Sequence, residues 1–311
     1  MSKQLHHAAA LSLKQLSYLV AVADTLNFTK AAELCFVTQS TLSGGIAELE
    51  RVLDVRLVER DRQRVALTEI GQQVVRRAHN ILSESLDLVT LAHNATDPAR
   101  GGLRLGVIPT IAPFVLTRLL KLTKQAFPEL QVAIRESQTL MLLAEVESGE
   151  LDAAVIALPM EVGKLHTHVL FEEALCLIAP KEDPLTRQGP QSLDKLHASE
   201  RMLLLERGHC LRDHALLACS NQTSNNGAEA NGVESTNLST MVQLVNSGMG
   251  CALVPRMAIE AGILNNTEVA QVDLAEPLPK RTIALVSRPT HPKLDFLMGA
   301  FAQTLAQCRS A

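Results

Sequence analysis

Apolar residues recur at helical spacing from Leu13 to Leu26, at Leu16, Leu19, Val20 and Ala23, until Asn27-Phe28-Thr29 interrupts the pattern. Thr29 is expected to cap a short helix over Lys30 to Cys35. After Phe36-Val37, Thr38 caps a third predicted helix, Gln39 to Leu53, with Leu42, Ile46, Leu49 and Leu53 on one face. Helices of this size joined by a few residues form a helix-turn-helix, whose second helix enters the major groove of DNA. Polar Gln39, Ser40, Thr41 and Ser43 at its start are placed to reach base edges. Two short strand-like pieces, Arg56 to Glu59 and Val65 to Leu67, then read as a wing. Thr68-Glu69 opens a long helical pattern to about Asn94, carried by Ile70, Val74, Val75, Ala78, Ile81, Leu82, Leu86, Val89 and Leu91. A helix of roughly 26 residues spans about 39 Å. Being apolar along one side with no globular neighbour in sequence, it is expected to pair with a copy of itself. Pro98 to Gly102 ends it.

From Leu103 strands alternate with helices: strands over Leu103–Ile108, Leu130–Glu136 and Leu151–Ala157, helices over Ala112–Ala126 and Leu140–Ser148. Val169–Pro180 reads as a strand-rich crossover, Arg201–Leu205, Cys251–Val254 and Arg281–Val286 as strands, Leu238–Ser247 as a helix, and Leu294–Cys308 as one closing helix. The alternation implies a parallel sheet wrapped by helices, divided into two lobes with a cleft between them. The polar run Asn221 to Ser235 is expected to be a mobile loop. The predicted organisation is an N-terminal all-α winged helix-turn-helix (1–68), a linker helix (69–97), a hinge (98–102) and a two-lobed α/β effector domain (103–311).

Composition narrows the setting. The chain has 311 residues and a mean hydropathy of +0.12, with no run of about 18 uncharged apolar residues, which excludes a membrane-spanning helix. Met1 to Ala10 lacks the apolar core of a signal peptide, so a cytoplasmic location is expected. There, six scattered cysteines do not form a disulfide framework, and a working pair acts by redox or metal chemistry. A net charge of -4 argues against coating nucleic acid non-specifically. Yet Arg51, Arg56, Arg60, Arg62 and Arg64 fall within one 14-residue stretch, either a positive edge for phosphate contact or a solvated charged loop.

The segment "LNFTKAAELCFVTQSTLSGGIAELERVLDVRLVERDRQRVALTEIGQ" resembles the winged helix-turn-helix of LysR-type transcriptional regulators, and "SGELDAAVIAL" their effector-domain signature. "LGVIPTIAPFVL", "ERGHCLRDHALLAC" and "KRTIALVSRP" are similar to the peroxide-sensing OxyR branch of that family. The resemblance implies a periplasmic-binding-protein-like effector domain and a non-enzymatic activator that is a homotetramer, a dimer of dimers. Its implied partners are promoter DNA, RNA polymerase and a thiol reductant such as glutaredoxin or thioredoxin, with no cofactor, metal or membrane. It gives Cys210 the peroxidatic role and Cys219 the resolving role, and places Thr110, Thr139, His209 and Arg281 around the oxidant or the reactive sulfur. On the DNA side it points to Thr38, Gln39, Ser40, Thr41, Ser43, Arg60, Arg62 and Arg64. Ser40 stands where the family usually has proline and Gly45 where it has a larger polar residue, and each glycine of Gly44-Gly45 costs a helix roughly 1 kcal/mol.

The residue types suit that chemistry. Leu211, Ala215 and Cys219 share one face of a predicted helix, which puts Cys210 at its N-terminus between His209 and Arg212. A helix N-terminus and nearby cations favour the thiolate, the form that attacks peroxide. A nine-residue separation along a helix is about 13.5 Å, whereas disulfide α-carbons lie within about 7 Å, so closing the bond requires unwinding. Other readings stand beside this one. Both thiols serve as small apolar fillers, as Cys35, Cys176, Cys251 and Cys308 are expected to do, or His209, Cys210, His214 and Cys219 contribute to a zinc site. Thr110 and Thr139 are equally readable as helix caps, and His209 and Arg281 as surface residues. At the level of the whole chain the alternatives are a regulator that senses a small metabolite in the cleft, and a stand-alone thiol peroxidase.

Overall fold

The computed structural model describes residues 11–61, 64–93, 97–193, 201–219, 235 and 237–308; Arg62 and residues 221–234 of the expected loop lie outside them, as do the side chains of Arg60, Arg64 and Cys219. Helix α1 (Leu13–Thr25) opens with a reciprocal capping box between Ser12 and Gln15. Helix α2 (Phe28–Leu34) starts earlier than expected because Asn27, not Thr29, is its cap: the Asn27 side-chain oxygen accepts from the Thr29 and Lys30 amides at 2.9 and 3.0 Å. The earlier start also places Phe28 on the buried face. Helix α3 (Gln39–Leu53) is capped by Thr38 as expected, and Leu42, Ile46 and Leu49 are fully buried beside Leu19, Val22 and Ala31. Gly45 has a packing role, since a Cβ there would lie 2.7 Å from the Tyr18 ring of α1, whereas Gly44 faces open space.

Strands β1 (Val58–Asp61) and β2 (Arg64–Leu67) form an antiparallel hairpin whose last rungs are Arg60↔Val65 and Asp61↔Arg64. Helix α4 (Glu69–His93) buries Val75 and Ala78 in the same core and leaves Ile81, Leu86, Leu88, Val89 and Leu91 exposed. The described residues up to His93 form one compact unit together with residues 147–150, and the other described residues form a second.

In the second unit, β3 (Gly101–Val107), α5 (Ala112–Ala126), β4 (Leu130–Glu136), α6 (Thr139–Ser148) and β5 (Ala153–Leu158) alternate as expected. They are followed by the 15-residue β6 (His166–Pro180), α7 (Cys210–Cys219), α8 (Leu238–Asn246), β7 (Ala252–Pro255), α9 (Arg256–Glu260), β8 (Val269–Val272) and β9 (Lys280–Ser287). The sheet is mixed rather than parallel. Strand β3 pairs parallel with β4 and β5, but β9 inserts antiparallel between β5 and β6, and the second half of β6 pairs antiparallel with β7 and β8. Strand β9 arrives from far along the chain, a placement that local alternation does not reveal. The single strand β6 thus runs from one lobe into the other, and each lobe has its own apolar core.

Three further expectations change. Arg201–Leu205 is not a strand; among the described residues it makes only isolated bridges, Met202↔Cys251 and Leu205↔Ser235, because its partner changes from one segment to another within four residues and no ladder is sustained. Ser235 is itself buried in that bridge. The closing helix is divided, with a π-helical turn at Leu297–Phe301 between α-helical Leu294–Phe296 and Ala302–Ala306, which brings Leu297 and Phe301 into the first lobe's core. Within the "SGELDAAVIAL" segment, Asp152 accepts from the Arg104 backbone amide at 2.6 Å and lies 3.4 Å from His291 Nε2. Burial raises its pKa, but His291 and Arg104 outweigh that and hold the carboxyl well below the usual carboxylate range.

Candidate redox site and nucleic-acid interface

The helix carrying the cysteine pair begins at Cys210, as the sequence predicts. The turn before it is built around Gly208, whose φ of +98° suits glycine, and a Cβ there would collide with the Gln138 side-chain amide. That close approach lets Gln138 Nε2 donate to Glu206 Oε1 at 3.2 Å, while His209 Nε2 lies 3.6 Å from the same oxygen. His209 is therefore a buried residue and not a surface one. The Arg212 guanidinium donates to the Leu205 carbonyl at 2.9 Å, which braces the turn from within α7.

Cys210 is a free thiol only 3% exposed, packed with the core of the first lobe, whereas Leu211 and Ala215 of the same helix belong to the core of the second. Helix α7 is thus shared between the lobes at its first turn. The backbone is helical from Cys210 to Cys219, so in this form the two α-carbons stand roughly 13.5 Å apart, too far for a disulfide. Of the other cysteines, Cys176, Cys251 and Cys308 are buried and Cys35 is partly so; burial pushes Cys308 up to about 11, which keeps it a thiol.

Arg281 lies on β9 and is 1% exposed, so it too is no surface residue. Its Nε donates to Glu173 Oε2 at 2.8 Å, its Nη1 to the Thr110 hydroxyl at 2.8 Å and its Nη2 to the Thr110 carbonyl at 3.1 Å. The other Glu173 oxygen accepts from the Met257 amide at 3.0 Å, tying β6, β9, the end of β3 and the start of α9 into one buried ionic node. Thr110 therefore spends its hydroxyl on Arg281 and caps nothing; the residue at the N-cap of α5 is Ile111. Thr139, the first residue of α6, is buried with its hydroxyl unpaired. This leaves a hydroxyl free to bind a small polar molecule.

Sequence reasoning missed three contributors, Glu173, Gln138 and Glu206, and weighed His214 only as a zinc ligand. The last is 4% exposed and lies one turn after Cys210. Burial lowers its pKa and the Arg281 charge lowers it further, against smaller favourable effects of the Leu158 carbonyl and Asp213. A buried carboxylate such as Glu173 is not announced by any periodicity. The one signal available was that a charged pair, Glu172-Glu173, interrupts the otherwise apolar run from Val169 to Pro180.

In the first unit, the N-terminus of α3 carries a hydroxyl cluster. Thr38 Oγ1 lies 2.9 Å from Ser40 Oγ and 2.8 Å from Thr41 Oγ1, and accepts from the Thr41 amide. Thr38, Gln39, Ser40 and Thr41 are exposed and Ser43 is half-buried, so the residues expected to meet base edges share the open end of the helix. Residues 13–72 match the family model "Bacterial regulatory helix-turn-helix protein, lysR family" and residues 96–308 match "LysR substrate binding domain".

The chain belongs to the LysR family of transcriptional regulators. LysR-family proteins are DNA-binding regulators and not enzymes, and the exposed end of α3 is the part of this LysR chain suited to that role. The chain is 45% identical over 285 residues to the HTH-type transcriptional regulator EstR of Acinetobacter baylyi, covering 92% of this chain and 93% of that one. It is 35% identical over 282 residues to the DNA-binding transcriptional dual regulator OxyR of Escherichia coli, covering 91% of each. Among solved structures it resembles a full-length OxyR cysteine-to-aspartate variant from Pseudomonas aeruginosa, with a TM-score of 0.77 at 30% identity, covering 96% of both chains. A hydrogen-peroxide-bound OxyR cysteine-to-serine mutant from Corynebacterium glutamicum gives a TM-score of 0.64 at 29% identity, covering 96% of this chain and 92% of that one. Among the described residues no helix is long and apolar enough to cross a membrane.

Proposed function

We propose that this LysR-family regulator senses hydrogen peroxide and activates antioxidant genes. The observation that carries the reading is the placement of Cys210 and Cys219 at the two ends of one helix whose first residue packs on one lobe core while the next packs on the other. The Cys210 thiolate attacks one peroxide oxygen, forming a sulfenic acid and releasing water once the hydroxide is protonated. The Cys219 thiol then displaces a second water and forms the disulfide. Net, two thiols and one peroxide give one disulfide and two waters. Thr139 offers a hydroxyl to the oxidant, His209 steadies the sulfur, and Thr110 is held in place by Arg281. Because a disulfide is too short to span the helical form, closing it unwinds α7 and changes how both lobes pack. A cytoplasmic thiol reductant such as glutaredoxin or thioredoxin resets the switch.

On the same reading, residues 1–68 bind promoter DNA, the exposed apolar side of the linker helix (69–97) pairs two chains, and 98–102 hinges them to the effector domain (103–311). Two such dimers form the tetramer, and the oxidised form recruits RNA polymerase. The test is a non-reducing peptide map after stoichiometric peroxide. A peptide cross-linked through Cys210 and Cys219 is expected, and its absence refutes the redox reading.

One observation favours a second reading, a LysR-type regulator that senses a small metabolite with the cysteines incidental: Cys210 is buried in the core of one lobe. A Cys210→Ser variant that keeps its full inducer response selects it.

A further inference from the structure

The turn between α2 and α3 carries a residue that the fold alone does not explain. Helix α2 ends in a Schellman arrangement in which the Val37 amide donates to the Ala32 carbonyl at 3.0 Å and the Phe36 amide to the Glu33 carbonyl at 3.1 Å. The position after the C-cap in this motif takes a left-handed backbone, and glycine or asparagine normally fills it. Here it is Phe36, at φ +54°. A bulky side chain in that region is an outlier. Its ring recovers nothing from the protein interior, since Phe36 is 96% exposed, the most exposed of the large apolar residues described. The residue thus works against folding twice, through its backbone and through its wetted ring.

Phe36 stands two residues before Thr38, the cap of α3, on the same open end as Gln39, Ser40 and Thr41. In a helix-turn-helix the N-terminal residues of the second helix enter the groove, so the turn that leads into them arrives at the duplex with them. Among base edges, the apolar group offered in the major groove is the thymine methyl, which phenylalanine contacts. We propose that Phe36 is a DNA-contacting residue of this protein, its ring packing on a thymine methyl at the edge of the half-site read by α3.

The test uses the full-length protein and the genomic duplex that it retains most strongly when challenged with its own fragmented genome. Phe36→Asn fits the left-handed turn and removes the ring, and Phe36→Ala removes the ring alone. For both variants we expect roughly tenfold weaker binding, equivalent to about 1.4 kcal/mol. The slope of log affinity against log salt should be unchanged, because no phosphate contact is lost. Thermal stability of Phe36→Asn should be at least that of the parent, so binding and folding move in opposite directions, which a purely structural role would not produce. Replacing thymines of the half-site one at a time by uracil should weaken the parent at one position and leave Phe36→Asn unaffected there. The proposal is overturned if the variants bind as tightly as the parent. It is equally overturned if no uracil position separates parent from variant, or if the loss of affinity is accounted for by a shift in the dimer or tetramer equilibrium measured without DNA.

Discussion

Consider replacing Glu173 by leucine. Arg281 is 1% exposed and Glu173 also buried, so the substitution leaves a guanidinium in the interior with Thr110 as its remaining partner. Removing one member of a buried ion pair typically costs about 3–5 kcal/mol, because the other charge stays desolvated. The Met257 amide also loses its acceptor, which adds about 1–3 kcal/mol. For a region of this size each kcal/mol moves the midpoint by roughly 2–4 °C, so the effector-domain transition should fall by at least about 8 °C. The assay is calorimetry of the full-length protein, in which the effector transition is followed separately, since a multidomain chain is not expected to unfold in a single step. The informative companion is Glu173→Leu with Arg281→Met. With both charges gone and volume roughly kept, most of the loss should be recovered, since the desolvation penalty disappears with the pair. If the single variant changes the midpoint by less than about 2 °C, or the double variant is no better than the single, Arg281 and Glu173 do not form the buried node described here.

Three further outcomes follow from the same geometry. Asn27→Ala should destabilise the helix-turn-helix by about 1 kcal/mol in urea denaturation, because two α2 amides lose their acceptor, while Thr29→Ala should be nearly silent. His214 has a folded pKa below its ordinary value of about 6.5, so above that pH both states are neutral and stability is undiminished. Below it the unfolded chain takes up the proton first and stability is lost as pH falls towards the folded-state value; His214→Gln should flatten the stability profile in the window just below the ordinary histidine pKa. Gly208→Ala should slow peroxide oxidation of Cys210 and cost about 1–3 kcal/mol in thermal denaturation, since it strains a positive φ and displaces Gln138 from Glu206.

The helical part of the fold was legible because its signals are local: the Leu42, Ile46, Leu49 stripe with Thr38 before it gave α3 to the residue. Cap competition was not, since Asn27 and Thr29 are both good caps and only the burial of Phe28 decides between them. The mixed sheet was hidden because β9 joins β5 and β6 from more than a hundred residues away. The site divides in the same way. Cys210 at a helix start could be read from Leu211, Ala215 and Cys219, but Glu173, which fixes Arg281 and through it Thr110, lies in a strand and meets its partner only in three dimensions. Likewise His209 and Arg281 look like surface residues in the sequence, and only the packing of two lobes buries them.

On the proposed function, oxidation of one cysteine pair changes how this LysR-family protein sits on DNA. It is tested most directly by footprinting reduced and peroxide-treated protein on its own upstream region, alongside Cys210→Ser. A footprint that changes length on oxidation, reverts with a thiol reductant and is fixed in the variant is the predicted result. A footprint of the same length before and after peroxide, or a peroxide response that persists in Cys210→Ser, would contradict it.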